Sequence, residues 1–466
     1  MTRSKKENKE YERLVSLGPE RLARMLLERA DWDEGAAHTV EQALAESNPL
    51  ETVVGRVKKG LGQYTGSRLS GSWNKSSVIS RELDHLRLLI SDAILPKSPA
   101  TAAALFEKLI ERHVPVFNNV DDSNGLLGDV FRQAVRDWGN AWYRRTDRKA
   151  GHLAGMVFNK IMSNDYGMYD HIVPDFSGAL GADGIAELEK LVRQELAPMP
   201  PVWIDENRAD IDKDWFKRVP LCRTLEEIAD LRNDPDGYIE AVTILGRPEP
   251  YAGDIAERLI SAKRFEDALT WLGRSGRLPR HDVAGMKAQC LVSLGKKDEA
   301  RELLWHDFLA TLSGASYSGA LKLTPESEID AKKEAAIAAS KQYSSALTAL
   351  SFLLKQGFMH NAADLVVIRW QELNGEHYYA IRPAAEKLET EFPLAAALLR
   401  RRLAEAILEK GVSKYYGYAV NDLKQTELIS RMVQDWQGNE DQSLFMLRLK
   451  ARHGKKSAFW ALYERK

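Results

Sequence analysis

The amino-acid sequence predicts an all-α protein whose helices form antiparallel hairpins, stacked as an α-solenoid that is tetratricopeptide-like in the C-terminal half. Three observations predict it. Apolar residues recur with helical spacing along nearly the whole chain, strand-like alternation is almost absent, and a repeat of 32 residues begins near Gly253. Helices that are joined by short turns bury their apolar faces against one another.

Composition limits the classes of partner. The 466 residues include 66 Lys and Arg against 67 Asp and Glu, a net charge of −1, which gives no global attraction to nucleic acid or to an anionic membrane. Two cysteines, Cys222 and Cys290, are too few for a disulfide framework or a structural zinc site. A polar start and the lack of a long apolar run predict a cytoplasmic protein without a membrane partner.

The order of helices suggests two helical halves. Pro19 suits the first position of a helix, because its missing N–H has no partner there in any case. Pro198, Pro200 and Pro201 cannot lie inside a helix, and an acidic run follows them. We therefore predict a polar tail, an N-terminal helical domain, a connector and a C-terminal repeat domain with capping helices, at 1–10, 11–196, 197–214 and 215–466.

The repeat is strongest just after Gly253. A helix ends in a tight polar turn, and an acid–alanine pair, Asp267-Ala268 or Glu299-Ala300, opens the next helix. Alanine permits the close packing of two helices, and the period is near the ~34 residues of tetratricopeptide repeats. A looser copy runs from Leu350 to Leu365. The following helix, near Pro393–Lys410, is predicted to cap the array, with its arginines at 400–402 on a basic face opposite its apolar one.

Short strings of a familiar kind are spread over nearly the whole chain. They are Leu17-Gly18, Arg21-Leu22-Ala23, Asp121-Asp122-Ser123, Gly128-Asp129-Val130-Phe131, Asn164-Asp165-Tyr166-Gly167, Tyr169-Asp170, Phe392-Pro393-Leu394-Ala395-Ala396, Ser413-Lys414-Tyr415, Tyr418-Ala419, Ala451-Arg452-His453-Gly454-Lys455-Lys456 and Phe459-Trp460. In this order they resemble an uncharacterised bacterial helical family, related to the helical regions that accompany SWIM-type zinc-finger proteins. The resemblance implies a helical fold and supplies no catalytic residue. Two isolated cysteines cannot form the zinc-finger ligand set, so this chain departs from those relatives.

An acidic segment near residue 120 is the first candidate site. Asp121, Asp122, Ser123 and Asp129 lie close together, and alternate oxygen-bearing side chains precede Asp129 as in a calcium loop. The calcium pattern fails because Asn124 stands where glycine is required. The structural alternative is that Asp122 or Ser123 caps the helix that begins near Leu126, and we favour it.

A second candidate joins two helices in the same half. Tyr166, Tyr169 and Asp170 lie in a short turn and would form a binding concavity together with the acidic segment. The structural alternative, which we favour, is a turn in which Gly167 takes a positive φ and the rings pack inward.

A third candidate lies near the C-terminus. Tyr415 and Tyr418, with Arg452, Lys455 and Lys456, mix aromatic and basic side chains that could stack on bases and neutralise phosphates. The structural alternative is a capping helix whose rings are buried and whose lysines extend outward.

No nucleophile elbow, phosphate-binding loop or helical metal motif is present in the sequence, so we predict neither a cofactor nor a metal, and we do not predict an enzyme. The leading hypothesis is a non-catalytic scaffold that binds a protein partner on its helical-repeat surface. The alternatives are nucleic-acid association through the basic C-terminal helices and an enzyme site at the Asp- and Tyr-rich turns, since carboxylates assembled from distant helices leave no linear motif. The oligomeric state is not predicted.

Overall fold

The computed structural model describes residues 11–45, 48–66, 69, 74–199, 214–246, 248–274 and 282–465. Within these ranges the chain is helical and contains no strand, which confirms the predicted all-α class. The chain divides into two compact units, Met1–Tyr251 and Ala252–Lys466. None of the described helices is both long and apolar enough to cross a membrane.

The first unit is organised around a long helical segment that is kinked at Gly181, where φ is +61°. Its helices are α1 (Pro19–Ala30), α2 (Glu34–Ala45), α3 (Leu50–Leu61), α4 (Ser76–Leu88, continued by a π-helical turn at Leu89–Ile94), α5 (Pro99–Ile110), α6 (His113–Phe117), α7 (Leu126–Tyr143), α8 (Ala150–Met162), α9 (Ile172–Leu196), α10 (Trp215–Arg232) and α11 (Pro235–Ile244). Helix α9 packs against α7, α8 and α10. Trp138 of α7 meets Phe176 of α9 edge to face, with ring centroids 5.0 Å apart, and both side chains are buried.

The first unit continues beyond the predicted connector. Helix α10 packs on α9, and α11 packs on α10, so both helices belong to the unit that ends at Tyr251. Most of the predicted connector, 200–213, lies outside the described residues, as does the predicted tail at 1–10. The domain boundaries given above therefore stay a prediction.

The second unit is a row of helical hairpins. Its helices are α12 (Ala252–Ser261), α13 (Phe265–Arg274), α14 (Val283–Ser293), α15 (Lys297–Thr311), α16 (Gly314–Leu323), α17 (Ile329–Gln342), α18 (Ala346–Lys355), α19 (Met359–Arg369), α20 (Tyr378–Leu388), α21 (Pro393–Lys410), α22 (Tyr416–Ser430), α23 (Gln442–His453) and α24 (Ser457–Arg465). From α12 to α16 each helix packs on the next, while α14 also packs on α12 and α16. This is the stacking of an α-solenoid, and it confirms the predicted architecture.

The repeat is visible in the turns of three hairpins. Lys263, Gly295 and Gly357 have φ angles of +62°, +80° and +81°, and each ends the first helix of its hairpin. The next residue closes the turn in each case, with its N–H donating to a carbonyl five residues back at 2.8, 2.8 and 2.9 Å. This bond is typical of the Schellman motif, in which a left-handed residue stops a helix. The alanines Ala268 and Ala300 are fully buried, as close helix packing requires.

One prediction about α21 was wrong. Arg400 and Arg401 do not form a basic outer face, since they are only 8% and 1% exposed. The guanidinium of Arg401 lies between the rings of Trp436 and Phe445, 4.3 and 4.5 Å from their centroids. A sequence pattern that places arginine opposite leucine cannot show that later helices cover both faces of α21.

Candidate functional site

The second unit contains a groove between α20, α21 and the start of α22. Its volume is about 520 Å³, and apolar atoms form most of its lining. The groove is lined by Gly375, Glu376, Tyr378, Arg382, Leu403, Ala406, Ile407, Lys410, Tyr415 and Tyr418. Small and aliphatic residues of α21 form the floor, and tyrosines form the walls. A concave apolar surface with few polar groups is the usual form of a binding site.

Local sequence explains how the two ends of the groove form. Gly375 precedes α20, where a Cβ atom would lie only 2.1 Å from the carbonyl oxygen of Arg402, so only glycine allows this close approach to α21. Helix α21 ends just before Gly411. The φ of Gly411 is +72°, a left-handed conformation that glycine adopts readily because it has no Cβ. The chain then turns through a 3₁₀ segment, Ser413–Tyr415, into α22. Tyr415 and Tyr418 thus come from one turn of chain and point to one side.

Ion pairs hold the walls of the groove. Arg382 donates to both carboxylate oxygens of Asp422, at 3.0 and 2.8 Å, and Asp422 is fully buried. Arg400 donates to the same carboxylate at 3.2 Å and to Glu389 at 2.6 Å. Two cations thus oppose two carboxylates beneath the groove. This network fixes α20, α21 and α22 with respect to one another.

The rim of the groove carries few further charges. Lys410 and Glu376 pair at 3.3 Å, with side chains 60% and 55% exposed. Lys414 lies over the ring of Tyr415, at 4.8 Å from its centroid. The rim therefore has one positive charge in excess, and it adds a modest preference for an acidic group to an otherwise apolar surface.

The structure separates the third predicted site into two places. Tyr415 and Tyr418 line the groove and are 40% and 57% exposed. Arg452 pairs instead with Glu409 at 3.1 Å, and neither Lys455 nor Lys456 is among the lining residues.

The aromatic residues of α24 face inward, as the structural alternative expects. Phe459 is fully buried. The indole N–H of Trp460 donates to the carbonyl of His453 at 2.9 Å, and the hydroxyl of Tyr463 donates to Glu427. These rings are therefore engaged in packing and hydrogen bonding within the unit.

Sequence reasoning missed the other wall of the groove. Tyr378 and Arg382 come from the start of α20 and Glu376 from the turn before it, which the sequence analysis did not single out. The only sequence feature there is the pair Tyr378 and Tyr379, two large rings side by side that cannot both face a core. They are 63% and 68% exposed.

In the first unit, the acidic segment forms a shallow depression of about 480 Å³. Four of the seven residues predicted for the concavity line it together: Asp121, Asp122, Ser123 and Tyr166. Asp122 caps α7, because its two carboxylate oxygens accept the N–H groups of Leu127 and Gly128, each at 2.9 Å. The confirmed cap satisfies the free N–H groups at the start of the helix.

The neighbouring groups of that depression are also engaged. The Ser123 hydroxyl and N–H donate to Asp121, and these hydrogen bonds lower the pKa of the Asp121 carboxyl. The Tyr166 hydroxyl donates to the side-chain oxygen of Asn118 at 2.7 Å. The acidic turn is thus stabilised locally, and its open face is small.

The remaining predicted residues of the first unit lie outside the depression. Asp129 pairs with Arg132 at 2.7 Å, and Asp170 pairs with Arg223 at 3.0 Å. Tyr169 is buried, and burial raises the pKa of its hydroxyl. Gly167 has a φ of +69°, as the predicted turn requires.

The described residues contain no group of three or more His, Cys, Asp or Glu that could hold a metal ion. Among the lining residues of the groove, Glu376 is the carboxylate, and it is paired with Lys410.

These features define the class of protein: an all-α chain of stacked helical hairpins with an apolar, tyrosine-lined groove. The chain belongs to the family of unknown function DUF6880, whose model matches residues 4–462. A search of curated proteins found no match.

One solved structure is similar to the chain, a "circular tandem repeat protein with novel repeat topology and enhanced subunit contact surfaces". It is 15% identical, with 95% of this chain and 97% of that chain covered, at a TM-score of 0.17. The fold described above therefore rests on the helices of this chain alone.

Proposed function

We propose that the second unit is a non-catalytic scaffold that holds a segment of a partner protein in the tyrosine-lined groove. The observation that carries the proposal is the convergence of Tyr378, Tyr415 and Tyr418 on an aliphatic floor. Tyrosine is enriched at protein interfaces, because its ring buries a large apolar area while its hydroxyl tolerates water.

The chemistry of the groove favours a polypeptide occupant with an apolar anchor. Leu403, Ala406 and Ile407 offer no hydrogen-bonding side chain, so the floor accepts aliphatic or aromatic groups. Tyrosine hydroxyls at the walls can bond to the main chain of an extended or helical segment. Because Lys410 is paired with Glu376, the positive excess at the rim is that of Lys414, and it favours an acidic residue beside the anchor. Burial of one or two apolar side chains would supply about 1.5–3 kcal/mol each.

The proposal is tested by quantitative affinity purification from the source cell. The full chain is compared with a double variant, Tyr378→Ala and Tyr418→Ala, which removes two walls of the groove. The matched control is Leu447→Ala on α23, since Leu447 is 68% exposed and does not line the groove.

The expected result is a defined protein that the wild-type chain and the control capture equally and that the double variant loses at least tenfold. A partner captured equally by all three chains, or no reproducible partner, would contradict the proposal. Circular dichroism of the double variant verifies that it is folded.

The nucleic-acid alternative receives less support, because Phe459 is buried and Arg452 is paired. Its test is the affinity for single-stranded nucleic acid, which must fall steeply with salt if phosphates are bound. The relation of this family to the helical regions that accompany SWIM-type zinc-finger proteins stays a hypothesis from the sequence resemblance. The same is true of the enzyme alternative at the Asp- and Tyr-rich turns.

A further inference from the structure

Helix α1 is an exposed helix of the first unit that carries several large apolar side chains. None of its residues is buried, although it packs against α2. Met25, Leu26 and Leu27 are 50%, 46% and 54% exposed, and Trp32, just beyond the helix, is 70% exposed. Exposed clusters of large apolar residues mark interaction surfaces.

The face of α1 turned away from α2 combines charged side chains with the exposed Met25. Leu22 and Ala30 are the half-buried residues of α1, and they mark the side turned toward α2. Helical spacing places Arg21, Met25 and Glu28 on the other side.

A depression of about 580 Å³ lies on that side of the helix. It is lined by Leu17, Gly18, Pro19, Glu20, Arg21, Arg24, Met25 and Glu28. Neither Arg21 nor Glu28 forms an ion pair with another residue in the part of the chain that the structure describes. The face composed of Leu17, Arg21, Arg24, Met25 and Glu28, extended by Trp32, is called the α1 face below.

We propose that the α1 face binds the α1 face of a second copy of this chain, with the two helices antiparallel. Placing a two-fold axis between Arg24 and Met25 sets Arg21 opposite Glu28 of the second copy. The symmetry then sets Glu28 opposite the Arg21 of that copy, so two ion pairs form. Such isologous contacts are the usual basis of two-fold dimers.

The same register places an exposed aromatic side chain, Trp32, over the depression on α1 of the second copy. Trp32 of one copy falls opposite Leu17 of the other, at the end of the depression beside Pro19. The highly exposed indole would there cover the depression and lose water. Aromatic anchors that enter a pocket commonly supply much of the binding free energy of an interface.

Charge complementarity selects a second copy over other occupants. Arg21 and Glu28 are seven residues apart, so an antiparallel partner of the same sequence presents the opposite sign at both positions. A phosphate-bearing ligand or an anionic membrane would require one sign only, and Glu28 opposes that choice. The α1 face is self-complementary at these two positions, and its third charge, Arg24, falls beside the axis and opposite Met25 of the second copy.

The test is charge exchange in the full chain, followed by sedimentation equilibrium. Wild-type protein is expected to dimerise reversibly. Arg21→Glu and Glu28→Arg, made separately, replace both ion pairs with like-charge contacts and should each raise the dimer dissociation constant roughly tenfold or more. An equimolar mixture of the two variants restores both ion pairs between unlike chains, so it should dimerise like wild type.

The control is Glu51→Arg on α3, an exposed charge reversal away from the α1 face, which should leave the dissociation constant unchanged. Trp32→Ala should weaken the dimer when it is added to the wild-type chain and when it is added to both chains of the mixture. A wild-type chain that stays monomeric overturns the proposal, as does a dimer that both single variants preserve. Single variants that weaken the dimer without rescue on mixing also overturn it, because the stated register then fails.

Discussion

Arg382 donates two hydrogen bonds, at 3.0 and 2.8 Å, to the fully buried carboxylate of Asp422. The same guanidinium lines the tyrosine-lined groove. The wall of the proposed binding site is therefore anchored to a buried ion pair that joins α20 to α22. The shape of the groove depends on that pair.

Asp422→Asn removes the charge and keeps the size of the side chain. We expect the free energy of unfolding to fall by about 3–5 kcal/mol, because Arg382 and Arg400 lose their buried counter-charge. Urea unfolding followed by circular dichroism measures the change. The control is Glu376→Gln, which breaks the exposed pair with Lys410 and should cost under about 1 kcal/mol. Equal costs for the two variants would show that the buried network is not what holds the groove.

Two glycine-to-alanine substitutions in the hairpins should change the stability of the second unit in opposite directions. Gly295 has a φ of +80°, so Gly295→Ala should destabilise the second unit by about 1 kcal/mol. Gly273 lies within α13 with open space at its Cβ position, so Gly273→Ala should stabilise the unit by about 0.5–1 kcal/mol. Thermal unfolding of both variants gives the comparison, and a shift of the same sign in both would contradict the left-handed turn.

Part of this architecture could be predicted from the sequence because it repeats. The 32-residue period predicts the positions of α12 to α15. Gly295 and Gly357 indicate turns with a positive φ, which glycine adopts most easily. Asp122 as a helix cap follows from its place just before an apolar helix.

The groove could not be predicted, because Tyr378 and Tyr418 are brought together by the packing of α20 and α22 on α21. Buried arginines on α21 were missed for the same reason: their partners Asp422 and Glu440 come later in the chain.

A helix-capping role and a ligand-binding role predict different effects on stability when Asp121 and Asp122 are replaced. Asp122→Ala should lower the free energy of unfolding by about 1–2 kcal/mol, since two N–H groups of α7 lose their acceptor. Asp121→Ala should cost less, because within the described part of the chain the donor to that carboxylate is the exposed Ser123. Chemical denaturation of both variants decides between the roles. Equal stability of the Asp122 variant and wild type would contradict the cap and favour a ligand-binding role for the acidic turn.

The stability of the first unit is expected to depend on Glu227, a half-buried carboxyl group whose side chain is 15% exposed. Burial raises the pKa of Glu227 to about 8, with Arg223 opposing the rise and Asp175 adding to it. In the unfolded chain the pKa is near the ordinary value of 4.5, so the folded chain binds the additional proton between these two values. Stability should therefore fall as pH rises from about 4.5 to about 8, by on the order of 2–4 kcal/mol.

Glu227→Gln tests this dependence because it keeps the shape of the neutral side chain. The variant should match wild type at acidic pH and exceed its unfolding free energy above pH 8. The control, Glu51→Gln, changes an exposed carboxylate and should leave the wild-type pH profile intact. Parallel profiles for wild type and the Glu227 variant would show that Glu227 is ionised in the folded chain.

Site-specific photo-crosslinking measures most directly whether the groove binds a partner. A photoreactive phenylalanine analogue replaces Tyr418 in the groove or, as the matched control, Leu447 outside it, in the full chain expressed in its source cell. A partner in the groove predicts a defined polypeptide adduct from position 418, absent from position 447 and lost when Tyr378→Ala is added. No adduct at position 418, or the same adducts at both positions, would contradict the proposed binding site.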